Sequence, residues 1–537
     1  NTGALYVFNA DGSNFLGGGT TPVPFATTTS GVVTSPCVGD VDGVPGNEIV
    51  FSTANGTLYA FHANGTEVVD GDSNPLTNGV VLAGAALGVR AQPVLADLDG
   101  SGGEEIIIGS PANSSGFSIL HVIRIANGTV EDHTMLVGGD SQSPAVVLTV
   151  QSAVAGQKAA IVPVRRAPGD FPLPGLYIVT WELLTDPQVV LDDLEGFGNF
   201  VVAQGQFSSP VAADLDGDGY REVVAADDQG KFHAFHLEIR DHIPGDYPVS
   251  YLATSEPAGW PAPFPDATRG RTGEISVADL ERDGHPEVFQ TGQDSRVVAL
   301  YWSGAPRKGY PVRAGTPLAP ADSAGTWAPL IADVDGDGVR DVIPILPDGR
   351  RPAYRGDGTP IPDFNELGST GVSAPPILAD LDGDGFAEWI ETFDAGSQVQ
   401  VSVKAPALPV AAGSVAWGQY RLSPTRNAVV APDTAGAVTG TQNLSSVFVY
   451  PNPSHDGTSR VHYRLQSTAT SVSIRIFDTA GSLVADLPVG AADLLGSSEH
   501  SVPWNQDSIA SGVYVCRVEV QSGGRTEVKF TNLAIVR

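Results

Sequence analysis

The sequence predicts an all-β chain in two parts: a seven-bladed, or eight-bladed, β-propeller followed by a small immunoglobulin-like β-sandwich. Three observations carry this. A short segment built on alternating aspartates recurs six times between Pro36 and Glu391. The segments between copies are runs of β-branched and apolar residues bounded by Gly, Pro and Asn, which is strand and turn chemistry. From residue 447 the acidic loops stop and apolar and polar residues alternate at strand period.

Composition bounds the function. Of 537 residues, 42% are hydrophobic, and mean hydropathy is +0.01, so a packed core is feasible and disorder is not expected. Gly (63) and Pro (41) are abundant, and no long helical periodicity accompanies them, which favours many short strands. The net charge of −32 disfavours nucleic acid and anionic lipid as partners. Cys37 and Cys516 lie far apart and read as two buried thiols, not a disulfide framework. No apolar run approaches the ~20 residues of a membrane span. A start at Asn1 reads as a processed or truncated terminus with any signal peptide removed. Asn55, Asn64, Asn113, Asn127 and Asn443 head Asn-x-Ser/Thr sequons, three of them Asn-Gly-Thr, which is also hairpin-turn chemistry.

The repeat is clearest in PVAADLDGDGYREVVAAD, Pro210–Asp227. Asp214, Asp216 and Asp218 alternate, Glu222 follows, and Gly217 and Gly219 interrupt them. Carboxylates this close repel unless a cation lies among them. Calcium takes six to eight oxygens, and alternating Asp on a Gly-bearing turn can supply them. A helix–loop–helix hand needs its last acid at position 12. Here that acid stands at position 9 between β-branched runs, so the loop joins two strands. Other copies are PCVGDVDGVPGNEIVF, PVLADLDGSGGEEIII, ISVADLERDGHPEVFQ, PLIADVDGDGVRDVIP and PILADLDGDGFAEWIE, with first aspartates at 40, 97, 279, 333 and 380. The wide gap from Asp97 to Asp214 holds SPAVVLTV, AAIVPV and GLYIVTW, which read as a further unit that has lost its acids. A second element such as GTLYAFHANGT follows each copy. Each unit is therefore a four-stranded antiparallel sheet that must pack against neighbours, as blades do around a ring. GALYVFNADGSNF (Gly3–Phe15) matches half a blade: it either completes the last blade or belongs to an eighth.

These repeats resemble the FG-GAP/VCBS family found in integrin α-chain propellers and bacterial surface proteins, over residues 1–405. The resemblance implies calcium bound by the acids at positions 1, 3, 5 and 9. Three loops match fully: Asp214, Asp216, Asp218 and Glu222; Asp333, Asp335, Asp337 and Asp341; Asp380, Asp382, Asp384 and Glu388. A fourth, Asp279, Glu281, Asp283 and Glu287, matches with a longer Glu at position 3. In the first two copies Val44 and Ser101 replace the fifth-position acid, so Asp40/Asp42/Glu48 and Asp97/Asp99/Glu105 read either as weak sites or as empty turns.

Residues 406–446 read as a linker and propeller-closing segment, including VAWGQYRLSPTRNA (Val415–Ala428). Within 447–537, VYPNPSHDG, IFDTAGSLV and SGVYVCRVEV resemble the C-terminal sorting domain of the type IX secretion system, which has an Ig-like fold. That resemblance implies export to the bacterial cell surface. No nucleophile elbow, phosphate loop or zinc motif is present. His233 and His236 fall on opposite faces of one strand and cannot chelate together. The expectation is a secreted, calcium-stabilised, non-catalytic protein that binds a protein or glycan at the cell surface, or self-associates through its N-terminal half-blade and tail into a filament or lattice. A polysaccharide-acting enzyme is the third reading.

Overall fold

The computed structural model describes residues 3–31, 34–73, 78–83, 87, 91–152, 156–165, 174–185, 190–193, 201–240, 249–256, 260–263, 274–292, 295–314, 327–346, 349–367, 374–394, 399–406, 408, 410–419, 421–430, 444–450, 454, 457–465, 468–478, 483–494, 498–506, 509–522 and 525–536. The chain separates into two compact units, Asn1–Asp433 and Thr434–Arg537.

The first unit is a β-propeller; five of its described sheets are the expected four-stranded antiparallel units, whereas the sheet holding Val211–Ala213 and Glu222–Ala226 has seven strands, with Gln151–Ser152 parallel to Lys231–Arg240 and Val190–Asp193 parallel to Val249–Ser255. In each acidic repeat a short strand enters the loop and a second leaves it: Cys37–Gly39 and Glu48–Ser52, Val94–Ala96 and Glu105–Gly109, Val211–Ala213 and Glu222–Ala226, Ile275–Ala278 and Glu287–Thr291, Leu330–Ala332 and Asp341–Ile343, Ile377–Ala379 and Glu388–Asp394. The register is the same in all six. The ninth-position acid pairs with the residue before the first aspartate: Gly39↔Glu48, Ala96↔Glu105, Ala213↔Glu222, Ala278↔Glu287, Ala332↔Asp341 and Ala379↔Glu388. The acid-free unit is also a sheet, of Val146–Thr149, Lys158–Val164, Gly175–Thr180 and Val201–Gln204.

These strands are apolar on both faces because each sheet is covered by its neighbours. All five residues of Glu105–Gly109, and all five of Glu222–Ala226, are buried. One apolar cluster joins Val50 and Leu58 of the first sheet to Leu95 and Ile106 of the next. Another joins Val122 to Val162, and a third joins Ile161 to Val223. The entering strands stand side by side, Val211–Ala213 next to Ile275–Ala278, and the latter next to Leu330–Ala332.

Among the described residues the N-terminal segment does not complete the last blade, one of the two sequence expectations for it. Gly3–Leu5 pairs with Ala26–Thr28 as a separate two-stranded sheet and does not join the described strands of the last blade. Its apolar side, Leu5 and Ala26, packs on Phe51, Tyr59 and Phe61 of the first acidic repeat, three rings in parallel stacks. Burial against that aromatic ladder holds the segment there. Among the described residues the last blade has three strands, ending at Val399–Lys404.

Residues 410–419 and 421–430 pack into the first unit as a strap across the entering strands. Among the described residues their backbone or side chains bond at least six of the sheets. The Ile331 N–H donates to Trp417 O (3.0 Å) and the Leu378 N–H to Gly418 O (2.7 Å). The Val38 N–H donates to Pro424 O (3.0 Å), the Leu95 N–H to Thr425 O (2.9 Å) and the Ala212 N–H to Ala428 O (2.9 Å). Asn427 takes both backbone groups of Val147, accepting at Oδ1 (2.8 Å) and donating from Nδ2 (3.1 Å). Gly418 has no room for a side chain: a Cβ there would sit 2.3 Å from Leu378 O.

The second unit is a β-sandwich. One sheet is Leu444–Tyr450, Thr458–Leu465 and Ser498–Asn505; the other is Leu483–Leu487, Ser471–Asp478, Gly512–Ser522 and Arg525–Ile535. Tyr514, Cys516, Val518 and Val520 alternate inward, against Tyr463, Trp504 and Ile474. Both cysteines are buried, and burial pushes each thiol up to about 12.

Replacing Asn427 by Ala removes two hydrogen bonds and leaves a buried strand without them. Urea unfolding should show a loss of roughly 1–3 kcal/mol. A loss under a few tenths would show that the strap does not hold the entering strands.

Candidate metal centre

The loop geometry follows from its glycines. In Asp214–Glu222, Asp214 Oδ1 accepts the Gly217 N–H (2.7 Å) and its Oδ2 accepts the Gly219 N–H (3.0 Å). Gly217 and Gly219 have φ of 79° and 93°, a region that favours glycine. Asp216 accepts from Asp218 N–H (3.2 Å), and Asp218 from Tyr220 N–H (2.7 Å). The loops from Asp333 and Asp380 repeat these bonds: Gly336 and Gly338 donate to Asp333, and Gly383 and Gly385 to Asp380. Asp335, Asp337, Asp382 and Asp384 each take the N–H two residues on. The alternating acids are thus curled inward; ligand oxygens of Asp214, Asp216 and Asp218 lie within 4.8 Å of one another.

The ninth-position acid closes each loop from the buried side. One of its oxygens accepts the N–H of the loop's second residue in every copy: Val41 (3.1 Å), Leu98 (2.7 Å), Leu215 (2.8 Å), Leu280 (3.0 Å), Val334 (2.9 Å) and Leu381 (2.8 Å). Glu222 and Asp341 are 0% exposed. Burial, with Asp216 close by, pushes Glu222 up to about 7; burial and the other aspartates of its loop push Asp341 up to about 8. Asp341 Oδ1 is buried with no hydrogen-bond partner. An oxygen-only cage with an orphaned buried carboxylate oxygen fits a hard divalent cation such as calcium.

In three repeats the second oxygen of that acid meets a basic side chain. Glu48 Oε1 meets His62 Nδ1 (3.1 Å), and His62 Nε2 lies 3.9 Å from Asp42. Glu222 Oε1 meets His236 Nδ1 (3.2 Å), while His236 Nε2 bonds Gln151 (2.8 Å) of the short strand Gln151–Ser152, which pairs with the strand of His236. In the loop of Asp279, Glu281, Asp283 and Glu287, the Arg307 guanidinium bridges Glu287 Oε1 (2.5 Å) and Glu281. In the loop of Asp97, Asp99 and Glu105, Lys158 Nζ lies 2.8 Å from Asp97 and Arg124 Nε 3.2 Å from Asp99. Arg355 reaches Asp335 (2.6 Å) from a half-exposed position.

The structure brings the acids of each predicted quartet to one loop. Sequence reasoning missed the basic partners. A signal was present: His62, Arg124, His236 and Arg355 each follow a largely apolar triplet in the third strand (YAFH, HVIR, HAFH, PAYR). The register sets Glu48 opposite His62, and one step beyond the Val223↔Phe235 and Val342↔Tyr354 pairs it sets Glu222 by His236 and Asp341 by Arg355. His233 turns away to Glu256 (2.9 Å) and Asp227 (3.1 Å), so the two histidines of FHAFH serve different acids.

Residues 279–343 match the family of FG-GAP-like repeats, and residues 448–531 match the secretion system C-terminal sorting domain. The chain carries both. The sorting domain marks it as a secreted protein of the cell surface, and the FG-GAP-like match spans the acids from Asp279 to Asp341. Among the described residues no helix is long and apolar enough to cross a membrane. No curated protein matches the chain. Among solved structures, the BP39L lectin from Burkholderia pseudomallei is similar at 12% identity, over 72% of this chain and 99% of that one, with a TM-score of 0.42. CopC from Methylosinus trichosporium OB3b is 20% identical over 17% of this chain and 93% of its own, with a TM-score of 0.13.

Asp341→Asn separates the two roles of the ninth-position acid. In chelator above pH 8, where Asp341 is ionised, the variant should be more stable than the parent, by about 1–3 kcal/mol, because a buried charge is replaced by a neutral amide. In millimolar calcium the order should reverse. The same sign in both conditions, measured by denaturant unfolding, would show that no cation meets Asp341.

Proposed function

We propose that the FG-GAP repeats form a calcium-stabilised, non-catalytic propeller that the sorting tail delivers to the cell surface to bind a protein or glycan there. The observation that carries the reading is the orphaned Asp341 Oδ1, buried among Asp333, Asp335 and Asp337. In an enzyme such an acid would face a substrate; here it faces the inside of its own loop. Calcium would be held by the three quartets headed by Asp214, Asp333 and Asp380, where it would supply charge neutralisation and a fixed corner between two strands. The acids curled around it are committed to loop backbone N–H groups, which makes them poor proton shuttles. Binding falls to the loops that join the blades, whose sequences are free to vary on a fixed scaffold.

A second reading, assembly of copies, is favoured by one feature. The last blade ends at Val399–Lys404, whose Val401 (52% exposed) and Val403 (46%) face outward on a strand that pairs on one side only among the described residues. Open edges pair with other chains. Light scattering decides: a 55.6 kDa particle in calcium excludes self-assembly, and larger particles support it.

At ten times the dissociation constant one calcium adds about 1.4 kcal/mol to stability, so three add about 4 kcal/mol. Chelation should lower the unfolding free energy of the first unit by that amount, and calcium should restore it. An unfolding curve that ignores chelator would overturn the calcium reading.

A further inference from the structure

Resting on the reading of the acidic loops as cation sites, we propose that two of the six hold the protein's own side-chain cations in place of a metal ion: Arg307 in the loop of Asp279–Glu287, and Lys158 with Arg124 in the loop of Asp97–Glu105.

Arg307 is 5% exposed, and its donors are turned into the loop. Nε donates to Gly356 O (2.6 Å), Nη1 to Glu287 Oε1 (2.5 Å) and Glu281 Oε2 (3.2 Å), and Nη2 to Glu281 Oε1. The guanidinium also lies 5.1 Å from the Tyr301 ring. A planar, permanently charged fork suits two carboxylates. Its presence explains why position 3 is Glu here: the extra methylene carries the carboxylate out to the guanidinium. Glu281 and Glu287, two calcium ligands by spacing, are the two that Arg307 ties together. Metal could reach them only by displacing a buried cation.

The second loop shows the same exchange by another route. Ser101 stands where an acid is needed at position 5, so the loop has three acids instead of four. Lys158, from the neighbouring acid-free sheet, reaches Asp97 (2.8 Å), and Arg124, from the loop's own sheet, reaches Asp99 (3.2 Å). Lys158 meets Oδ2 of Asp97, while Oδ1 is buried without a hydrogen-bond partner. The two loops whose acids are altered at position 3 or 5 and that face a permanent cation are these two. The Asp380 quartet, at the other extreme, is complete, and no Lys or Arg ion pair to its acids is seen among the described residues. The repeat thus trades metal for Arg or Lys within one chain.

The test counts calcium bound per full chain by equilibrium dialysis and metal analysis at saturating calcium. Asp382→Asn should lower the count by one, whereas Asp283→Asn and Asp97→Asn should leave it unchanged. Arg307→Met should raise it by one. A count that falls by one in Asp283→Asn or Asp97→Asn overturns the assignment for that loop. Should the parent chain bind no calcium, the calcium reading fails by itself, and thermal unfolding in chelator then judges Arg307. Arg307→Met melting well below the parent, with Arg307→Lys in between, supports the internal cation; three equal melting temperatures overturn it.

Discussion

A buried carboxylate at the start of a strand is the constraint on which the propeller depends. Each acidic repeat places a carboxylate there, from Glu48 to Glu388, opposite the residue that precedes its loop; five are buried and Glu388 is half-buried. One oxygen is used by the loop's second N–H in all six copies, and this bond fixes how the chain turns the corner. The other oxygen needs a positive or proton-donating partner, because an ion left alone in a low-dielectric interior is costly. The blades solve this differently, with His236, Arg307 or an oxygen cage that suits calcium. Variation among blades is therefore concentrated in what faces the carboxylate, while the corner itself stays constant.

A second constraint acts at the inner edge. Entering strands of a radial array would present N–H groups to nothing on their open side. The strap meets them with carbonyls and with Asn427, and it reaches Leu378 of the last sheet and Val38 of the first acidic one. It thereby ties sheets remote in sequence without a shared strand. The ninth-position acids and the strap act at different places, one within each acidic repeat and one across blades, so loss of either should leave the other's contacts in place.

The repeats were legible because their chemistry is local. Asp, Gly and the ninth acid lie within nine residues, and the turn they form depends on little else. The acid-free sheet from Val146 to Gln204 was legible from spacing and β-branched runs alone. What stayed hidden is long-range. Lys158 stands 61 positions beyond Asp97 in a sheet without acids of its own, and Arg307 lies in a turn whose sequence, APRKGYPV, reads as surface. The strap's contacts are with backbone groups, which every residue has, so sequence alone points to a closing segment without saying what it touches. The N-terminal pair reads by repeat matching as part of a blade, yet it follows its apolar face onto Phe51, Tyr59 and Phe61, a packing choice that repeat matching does not capture.

Hydrogen–deuterium exchange of the full chain, in calcium and then in chelator, tests most directly whether each corner depends on its own cation. Exchange should quicken on chelation at residues 211–226, 330–343 and 377–394 and stay unchanged at 94–109 and 275–291. Uniform quickening of all five segments, or none, would contradict an account in which some blades are fastened by metal and others by the protein itself.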